Sequence, residues 1–249
     1  MEDPVVAEQR PSGTTPTAAR YSRSMDRTAW LHERREAVRA QYDAEAATYD
    51  DLPYPTTSHT TFIDRLVATM PSGGLLLDAP CGTGQYFARI RGAGRRVVGV
   101  DQSAGMLEQA RRRGLAERVA RLGLQELAFD AEFDGAMTVD AMENVSPEDW
   151  PVVLRNLRRA VRPGAHLYMT AEEIDDGEIE AAWAANREHG LPAVRGEVIE
   201  GDVAGYHYYP RRERVGEWLA AEGLTIVDQA TDQEDGWAYW HLLLRTAER

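Results

Sequence analysis

The chain has 249 residues, enough for one large domain or two small ones, and 43% of them are hydrophobic, which is enough to fill a core. Its formal net charge of -13 argues against nonspecific binding to nucleic acids or anionic membranes, because both need basic patches. No apolar run approaches the length of a membrane span, and the N-terminus lacks the apolar core of a signal peptide. The single cysteine, Cys81, excludes an intrachain disulfide and a cysteine metal cluster. We therefore expect a soluble, cytoplasmic protein with no metal site.

The N-terminal part of the chain is predicted to be a tail followed by two helices. Residues 1–24 are rich in Pro, Ser, Thr, Ala and Gly and lack apolar periodicity, which predicts disorder. Asp26 is expected to cap a helix that runs to about Tyr49. Two prolines in the stretch 51–60 end this helix, and a second helix is predicted over residues 60–69.

The middle of the chain alternates short apolar runs with helical patterns, which predicts a mainly parallel, doubly wound sheet. The predicted strands are 75–78, 96–100, 119–122, 136–139 and 166–170, and the predicted helices are 85–91, 104–113 and 146–161. Ser103 and Ser146 are expected to cap the helices that follow them. In such sheets ligands bind at the carboxyl ends of the strands, where Asp78, Asp101 and Asp140 all lie.

The C-terminal part changes pattern. The spacing predicts a helix over residues 175–188 and a hairpin over 194–209 that turns at Gly201-Asp202. A further helix is predicted over 211–221. Two final strands, 224–229 and 239–245, are expected to form an antiparallel pair.

The stretch 75–86, LLLDAPCGTGQY, predicts a buried strand, a glycine turn and the start of a helix. Glycines let the backbone approach a ligand closely, and a helix N-terminus offers unpaired N–H groups. Asp101 follows the first glycine at roughly the 20-residue spacing that places a carboxylate on a ribose diol. Gln85 and the two aromatic residues after it stand where a dinucleotide site has its third glycine, and Asp78 makes the floor of the binding site acidic. A ribose ligand with an amino or sulfonium group therefore fits better than NAD.

Five stretches together resemble the motifs of class I S-adenosylmethionine-dependent methyltransferases. They are LLLDAPCGTGQY, VVGVDQSAGML, FDGAMTVDAMENV, LRRAVRPGAHLYMT and the early QYDAEAATYDD, and they cover residues 42–170. The resemblance implies an α/β fold with a Rossmann-like, doubly wound seven-stranded sheet that is mainly parallel, has an antiparallel last strand and carries helices on both faces.

The same resemblance implies one methyltransferase domain over residues 25–249. Its expected parts are an N-terminal helical cap (25–72), a cofactor-binding core (73–170), a substrate lid between strands five and six (171–210), and a C-terminal helix and strand pair (211–249).

The implied cofactor is S-adenosyl-L-methionine. By the resemblance, Asp101 would hold both ribose hydroxyls, Asp78 would anchor the amino end, and the backbone of Leu124 would contact the adenine. The loop 79–84 would pass under the methionyl part. The implied cofactor-binding residues are Tyr49, Asp78, Ala79, Pro80, Cys81, Gly82, Gly84, Asp101, Gln102, Met106, Leu124 and Asp140.

Methyl transfer from a sulfonium depends on alignment and desolvation, and an acidic acceptor atom also needs a base within hydrogen-bond reach. The candidates are Glu143 and Asp140, which follow the fourth predicted strand, and His207 in the segment YHYYP. The residues around His207 also fit an alternating amphipathic strand. Glu172 is a further candidate, although an ordinary solvated loop is the favoured interpretation of its position.

The leading functional hypothesis is a methyltransferase that acts on a small-molecule metabolite, because the acidic composition disfavours nucleic acid and the chain has no extra domain to dock a protein substrate. Two alternatives stay open. The same cofactor could serve a cyclisation, decarboxylation or other transfer, or the protein could be a non-catalytic cofactor-binding partner. A monomer and a homodimer both fit the sequence, which also leaves the acceptor atom open.

Overall fold

The computed structural model describes residues 26–51, 57–200, 205–234 and 237–248. The predicted tail 1–24 and the predicted turn at Gly201-Asp202 lie outside the described residues. Within the described ranges, no helix is both long and apolar enough to cross a membrane.

The described residues form nine strands, and seven of them make one sheet. The strands are β1 (Leu75–Asp78), β2 (Arg96–Asp101), β3 (Arg118–Arg121), β4 (Phe133–Thr138), β5 (Val161–Glu173), β6 (Glu197–Glu200), β7 (Gly205–Tyr208), β8 (Leu224–Glu234) and β9 (Trp237–Thr246). The sheet has the order β3-β2-β1-β4-β5-β9-β8. The pairs from β3 to β5 are parallel, and β9 runs antiparallel to both β5 and β8. This confirms the predicted sheet with its antiparallel last strand.

Helices cover both faces of the sheet. They are α1 (Arg27–Glu45), α2 (Thr57–Thr69), α3 (Phe87–Gly92), α4 (Ala104–Arg113), α5 (Trp150–Ala160), α6 (Asp176–Glu188) and α7 (Arg212–Ala221). Successive residues of a strand point to opposite faces, so Leu76 and Leu77 belong to two separate buried clusters. Helices α2, α3 and α4 pack on the Leu76 side, and α5 and α7 pack on the Leu77 side.

Helix α4 has the predicted bounds, and Ser103 caps it as predicted by accepting the Met106 N–H at 3.1 Å. The predicted capping role of Ser146 is wrong. Helix α5 begins at Trp150, the Ser146 hydroxyl donates to the Asp149 carboxylate at 3.0 Å, and residues 146–149 form a turn closed by the Trp150 N–H.

Two further predicted boundaries are wrong. Strand β5 begins at Val161 and includes the segment 162–164, which was predicted to be a turn between a helix and a strand. The strand tolerates this segment because its pairing with β4 shifts register between Phe133 and Gly135. Helix α3 begins at Phe87, two residues later than predicted, since tight turns continue through residues 81–86.

A buried ion pair fastens helix α1 to the β6–β7 hairpin, in which β6 and β7 pair antiparallel. The Arg27 guanidinium donates two bonds to the Glu197 carboxylate, at 2.8 and 3.0 Å. The Glu197 side chain has no exposed surface and also accepts the Tyr206 hydroxyl at 2.7 Å. The first turn of α1 is therefore bound to the hairpin by charge-assisted hydrogen bonds.

We expect Arg27→Ala to lower the free energy of unfolding by about 3 kcal/mol, because it leaves the Glu197 carboxylate buried without its cation. The matched control is Arg112→Ala, whose ion pair with Glu108 is 64% and 63% exposed and should contribute less than about 1 kcal/mol. Urea denaturation of both variants measures the difference, and equal losses would contradict this role of the Arg27–Glu197 pair.

Candidate active site

One cleft lies at the carboxyl ends of β1, β2 and β4. It encloses about 930 Å³ counted out to its open mouth. Its walls are the loop after β1, the end of β2, the loops after β3 and β4, and helix α1 with the following Tyr49. This is the edge of the sheet at which a doubly wound fold binds its ligands.

The glycine loop after β1 gives the cleft its floor. Gly82 has a φ of +51°, and a Cβ added there would point into open space, so the backbone is free to approach a ligand. Gly84 has a φ of +77°, and its Cβ would lie 2.5 Å from the ring of Phe87. A Cβ on Gly99 in β2 would lie 2.7 Å from the same ring. Gly84 and Gly99 thus leave room for the ring of Phe87. The sequence analysis did not single out Gly99, although a glycine inside a predicted strand is a signal of such close packing.

The Asp101 carboxylate is held in one orientation at the end of β2. Its Oδ2 accepts the Gly82 N–H at 2.9 Å, and its Oδ1 accepts the Ser103 N–H at 2.8 Å. Burial raises the pKa of Asp101, and the two N–H bonds oppose that rise. Because a carboxylate has about four acceptor positions, its oxygens can also accept from a hydroxyl donor in the cleft, which this side chain lines.

Helix α1 and Tyr49 are tied over the glycine loop. Asp43 accepts the Ser103 hydroxyl at 2.6 Å, and Asp50 accepts the Thr83 hydroxyl at 2.6 Å. Tyr49 packs edge-to-face on Tyr42 with the ring centres 6.1 Å apart, and both residues line the cleft. The covering role predicted for Tyr49 stays a prediction, and its position on the wall is compatible with it.

Asp78 lies behind the glycine loop and does not line the cleft. It is 1% exposed, and its Oδ2 has no hydrogen-bond partner among the described residues. Burial, and after it the charge of Asp101, raises the pKa of Asp78 well above its usual range. A buried carboxyl of this kind is stabilised in its charged form when a cation binds nearby.

The structure brings nine of the twelve predicted cofactor-binding residues to the walls of the cleft. They are Tyr49, Pro80, Cys81, Gly82, Asp101, Gln102, Met106, Leu124 and Asp140. The other three, Asp78, Ala79 and Gly84, are not among its lining residues.

The end of the cleft beside β4 carries the predicted catalytic acids. Asp140 has a φ of +47°, which is uncommon for a residue with a side chain, and its N–H donates to the Thr170 hydroxyl at 2.9 Å. His59 in α2, 2% exposed, places its Nε2 3.4 Å from Asp140 Oδ1. The sequence analysis missed His59, because no local pattern connects a histidine in α2 with the end of β4.

Glu143 and Glu172 lie behind Asp140 and are 7% and 5% exposed. The interpretation of Glu172 as part of a solvated loop is wrong, since it belongs to β5 and pairs with Tyr239 in β9. Burial, then the charges of Glu172 and Asp140, raises the pKa of Glu143 well above its usual range. Glu143 therefore favours its protonated form, in which a carboxyl can donate a hydrogen bond.

His207 belongs to the β6–β7 hairpin. It lies in β7, is half-buried, and its Nδ1 is 3.1 Å from the Tyr209 hydroxyl. Its neighbours Tyr206 and Tyr208 point to the other face of the hairpin and pack into the core. His207 and Glu143 are not among the described residues that line the cleft, and their catalytic roles stay predictions.

Comparison with known proteins identifies the family. A family model described as a methyltransferase domain matches residues 76–164. The malonyl-[acyl-carrier protein] O-methyltransferase of Erwinia pyrifoliae is 36% identical over 152 residues, which are 57% of this chain and 56% of that protein. The chain thus spans just over half the length of this relative. The demethylmenaquinone methyltransferase of Corynebacterium kroppenstedtii is 30% identical over 220 residues, which are 84% of this chain and 91% of that protein.

The chain belongs to the class I S-adenosylmethionine-dependent methyltransferases. The fold of this methyltransferase also matches a crystal structure of the 1,6-didemethyltoxoflavin-N1-methyltransferase of Burkholderia thailandensis with bound 1,6-didemethyltoxoflavin and S-adenosylhomocysteine. The TM-score is 0.68 at 19% identity, over 92% of this chain and 94% of that chain, and at this identity the likeness shows the fold alone. The family resemblance inferred from the sequence motifs is confirmed, and the cofactor of this family is S-adenosyl-L-methionine.

The cleft of this methyltransferase fits that cofactor. Asp101 presents acceptor positions suited to a ribose diol, the Cβ position of Gly82 opens into unfilled space, and Asp78 has a buried oxygen without a partner among the described residues. Asp101 suits the hydroxyl pair of the ribose, Gly82 allows the backbone to approach the cofactor closely, and Asp78 suits a positive charge.

We expect Asp78→Asn to make the stability of the unliganded methyltransferase less sensitive to pH. In the folded chain Asp78 keeps its proton to a higher pH than in the unfolded chain, so its stabilising contribution is complete only below its unfolded pKa of about 4. It is lost as pH rises toward the folded pKa, by up to about 1.4 kcal/mol per pH unit. The variant lacks this loss and should gain stability over the wild type as pH rises.

Urea denaturation at several pH values between about 5 and 7 measures this gain. Asp130→Asn, which changes an exposed carboxylate, is the control and should show a constant difference from the wild type. An Asp78→Asn difference that is equally constant would show that Asp78 ionises normally in the folded chain.

Proposed function

We propose that this methyltransferase transfers the methyl group of S-adenosyl-L-methionine to a small-molecule metabolite. The observation that carries the proposal is the Asp101 carboxylate, which two backbone N–H groups hold at the wall of the cleft. The demethylmenaquinone relative, 30% identical over most of its length, supports a small acceptor. The net charge of -13 supports a small metabolite over nucleic acid as the substrate.

The residues of the cleft divide the work between its two ends. Asp101 binds the ribose hydroxyls, and Gln102, Met106 and Leu124 lie beside the adenine. Asp78, which is buried behind the glycine loop, stabilises the amino end through its charge. When bound, the cofactor supplies a methyl group on a cationic sulfur, which is already a good leaving group. The task of the protein is to align the acceptor and exclude water, for which helix α1 and Tyr49 provide the cover.

Proton handling falls to the end of the cleft beside β4. Asp140 lines the cleft and is the carboxylate placed to accept a proton from an acceptor atom, with His59 on its other side at 3.4 Å. Glu143 and Glu172 lie behind it and contribute negative charge or protons from buried positions.

Isothermal titration calorimetry with S-adenosylhomocysteine tests the proposal. The full chain should bind S-adenosylhomocysteine and give no signal with NAD. Asp101→Asn should weaken binding by about 1–3 kcal/mol, or roughly 5- to 150-fold, because it removes a charged acceptor of hydroxyl hydrogen bonds.

The control variant Asp130→Asn changes an exposed carboxylate that does not line the cleft, and it should bind as the wild type does. Thermal unfolding of both variants checks that the loop after β1 stays folded. Unchanged affinity in Asp101→Asn, or binding of NAD alone, would refute the ribose assignment.

A further inference from the structure

The end of the cleft beside β4 is built from acidic groups. Asp140 lines the cleft, and Glu143 and Glu172 lie directly behind it, 7% and 5% exposed. They are electrostatic neighbours, because the charges of Asp140 and Glu172 both act on the carboxyl of Glu143. By the proposed function, the group that receives the methyl approaches within the field of these acids.

Tyr86 and Glu143 each carry a buried polar atom at this end that lacks a hydrogen-bond partner within the described part of the chain. The hydroxyl of Tyr86, on a side chain that lines the cleft and is 7% exposed, forms no hydrogen bond there. Oε2 of Glu143 forms none either, although Asn144 donates to its Oε1 at 2.9 Å. Native proteins keep few such atoms, because an unmade buried hydrogen bond is unfavourable, so the pair indicates a polar ligand at this place.

Cations are scarce at the same end. The sequence contains no lysine. Arg35 is the one basic side chain among the described residues that line the cleft, and it pairs with Asp149 at 2.5 Å. No described arginine lies within ion-pair distance of Asp140 or Glu143, and the basic group opposite Asp140 is the buried His59. An anionic acceptor would find no free guanidinium here of the kind that normally binds carboxylates.

We propose that the acceptor of this methyltransferase is a neutral or cationic group that carries a hydrogen on its acceptor atom, namely an O–H, an N–H or an activated C–H, and is not a carboxylate. The inference rests on the proposed function and names the class of acceptor. Methylation of such a group releases one proton, which Asp140 is placed to accept. Methylation of a carboxylate releases none, and the charge of the carboxylate would be repelled by Asp140.

Tyr86 and Glu143 complete the site. The Tyr86 hydroxyl can donate to, or accept from, a polar group beside the acceptor atom. Burial and the neighbouring acids raise the pKa of Glu143, and in its protonated form this carboxyl can donate one hydrogen bond. Asp140 can then accept a hydrogen bond and Glu143 can donate one, which suits a neutral hydroxyl or N–H group.

The chemical stability of the transferred methyl group tests the inference. The full chain is incubated with methyl-tritiated S-adenosylmethionine and the small-molecule fraction of cells that carry this gene, and the labelled product is then treated with mild alkali. Methyl esters release volatile tritiated methanol, whereas methyl groups on ether oxygen, nitrogen or carbon stay in the product. We expect the label to stay.

Release of the label as methanol would overturn the inference and leave the proposed function intact, since transfer would have occurred to a carboxylate. If no product is labelled although S-adenosylhomocysteine binds, the proposed function fails and this inference fails with it. The two failures are therefore distinguishable in one experiment.

A second readout is the kcat of variants, measured with the acceptor that the labelled product has identified. Asp140→Asn should lower kcat by about 10²–10⁴-fold, the usual contribution of a positioned general base, while the KM for S-adenosylmethionine changes much less. Asp130→Asn is the matched control. An Asp140→Asn variant with the kcat of the wild type would show that Asp140 does not take the proton.

Discussion

The structure of the cleft depends on the two hydrogen bonds that the Asp101 carboxylate accepts from backbone N–H groups. One bond comes from Gly82 and joins the glycine loop after β1 to the end of β2. The other comes from Ser103, whose own hydroxyl caps α4 and donates to Asp43 of α1. This buried carboxylate thus joins the loop to β2, Ser103 extends the connection to α4 and α1, and the same carboxylate lines the cleft.

The burial of further acids shapes the rest of the site. Asp78 and Glu143 are both removed from water, and the pKa of each is raised chiefly by that burial. In the unliganded chain this favours the protonated forms, because a buried negative charge without a cation is costly. A cofactor with a cationic sulfur and an amino group changes that balance, so the acidity of the cleft is suited to the charge of its ligand.

Helix α1 joins the cofactor side of the cleft to the hairpin. Arg27 at its start is bound to Glu197 of β6, and Asp43 near its end is bound to the N-terminus of α4. Residues between them, including Val38 and Tyr42, form part of the wall of the cleft. Charged groups therefore hold this wall of the cleft at both ends of α1.

The sequence by itself determined the order of strands and helices, the capping of α4 by Ser103 and the placement of Asp101, because each depends on short-range spacing or on a family motif. Only the tertiary structure decided where α5 begins, since the Asp149 carboxylate that accepts the Ser146 hydroxyl is held by Arg35 of α1. It also decided the burial of Glu172 and the pairing of His59 with Asp140. These features arise from contacts between segments far apart in the chain, and such contacts leave no local periodicity for sequence reasoning to detect.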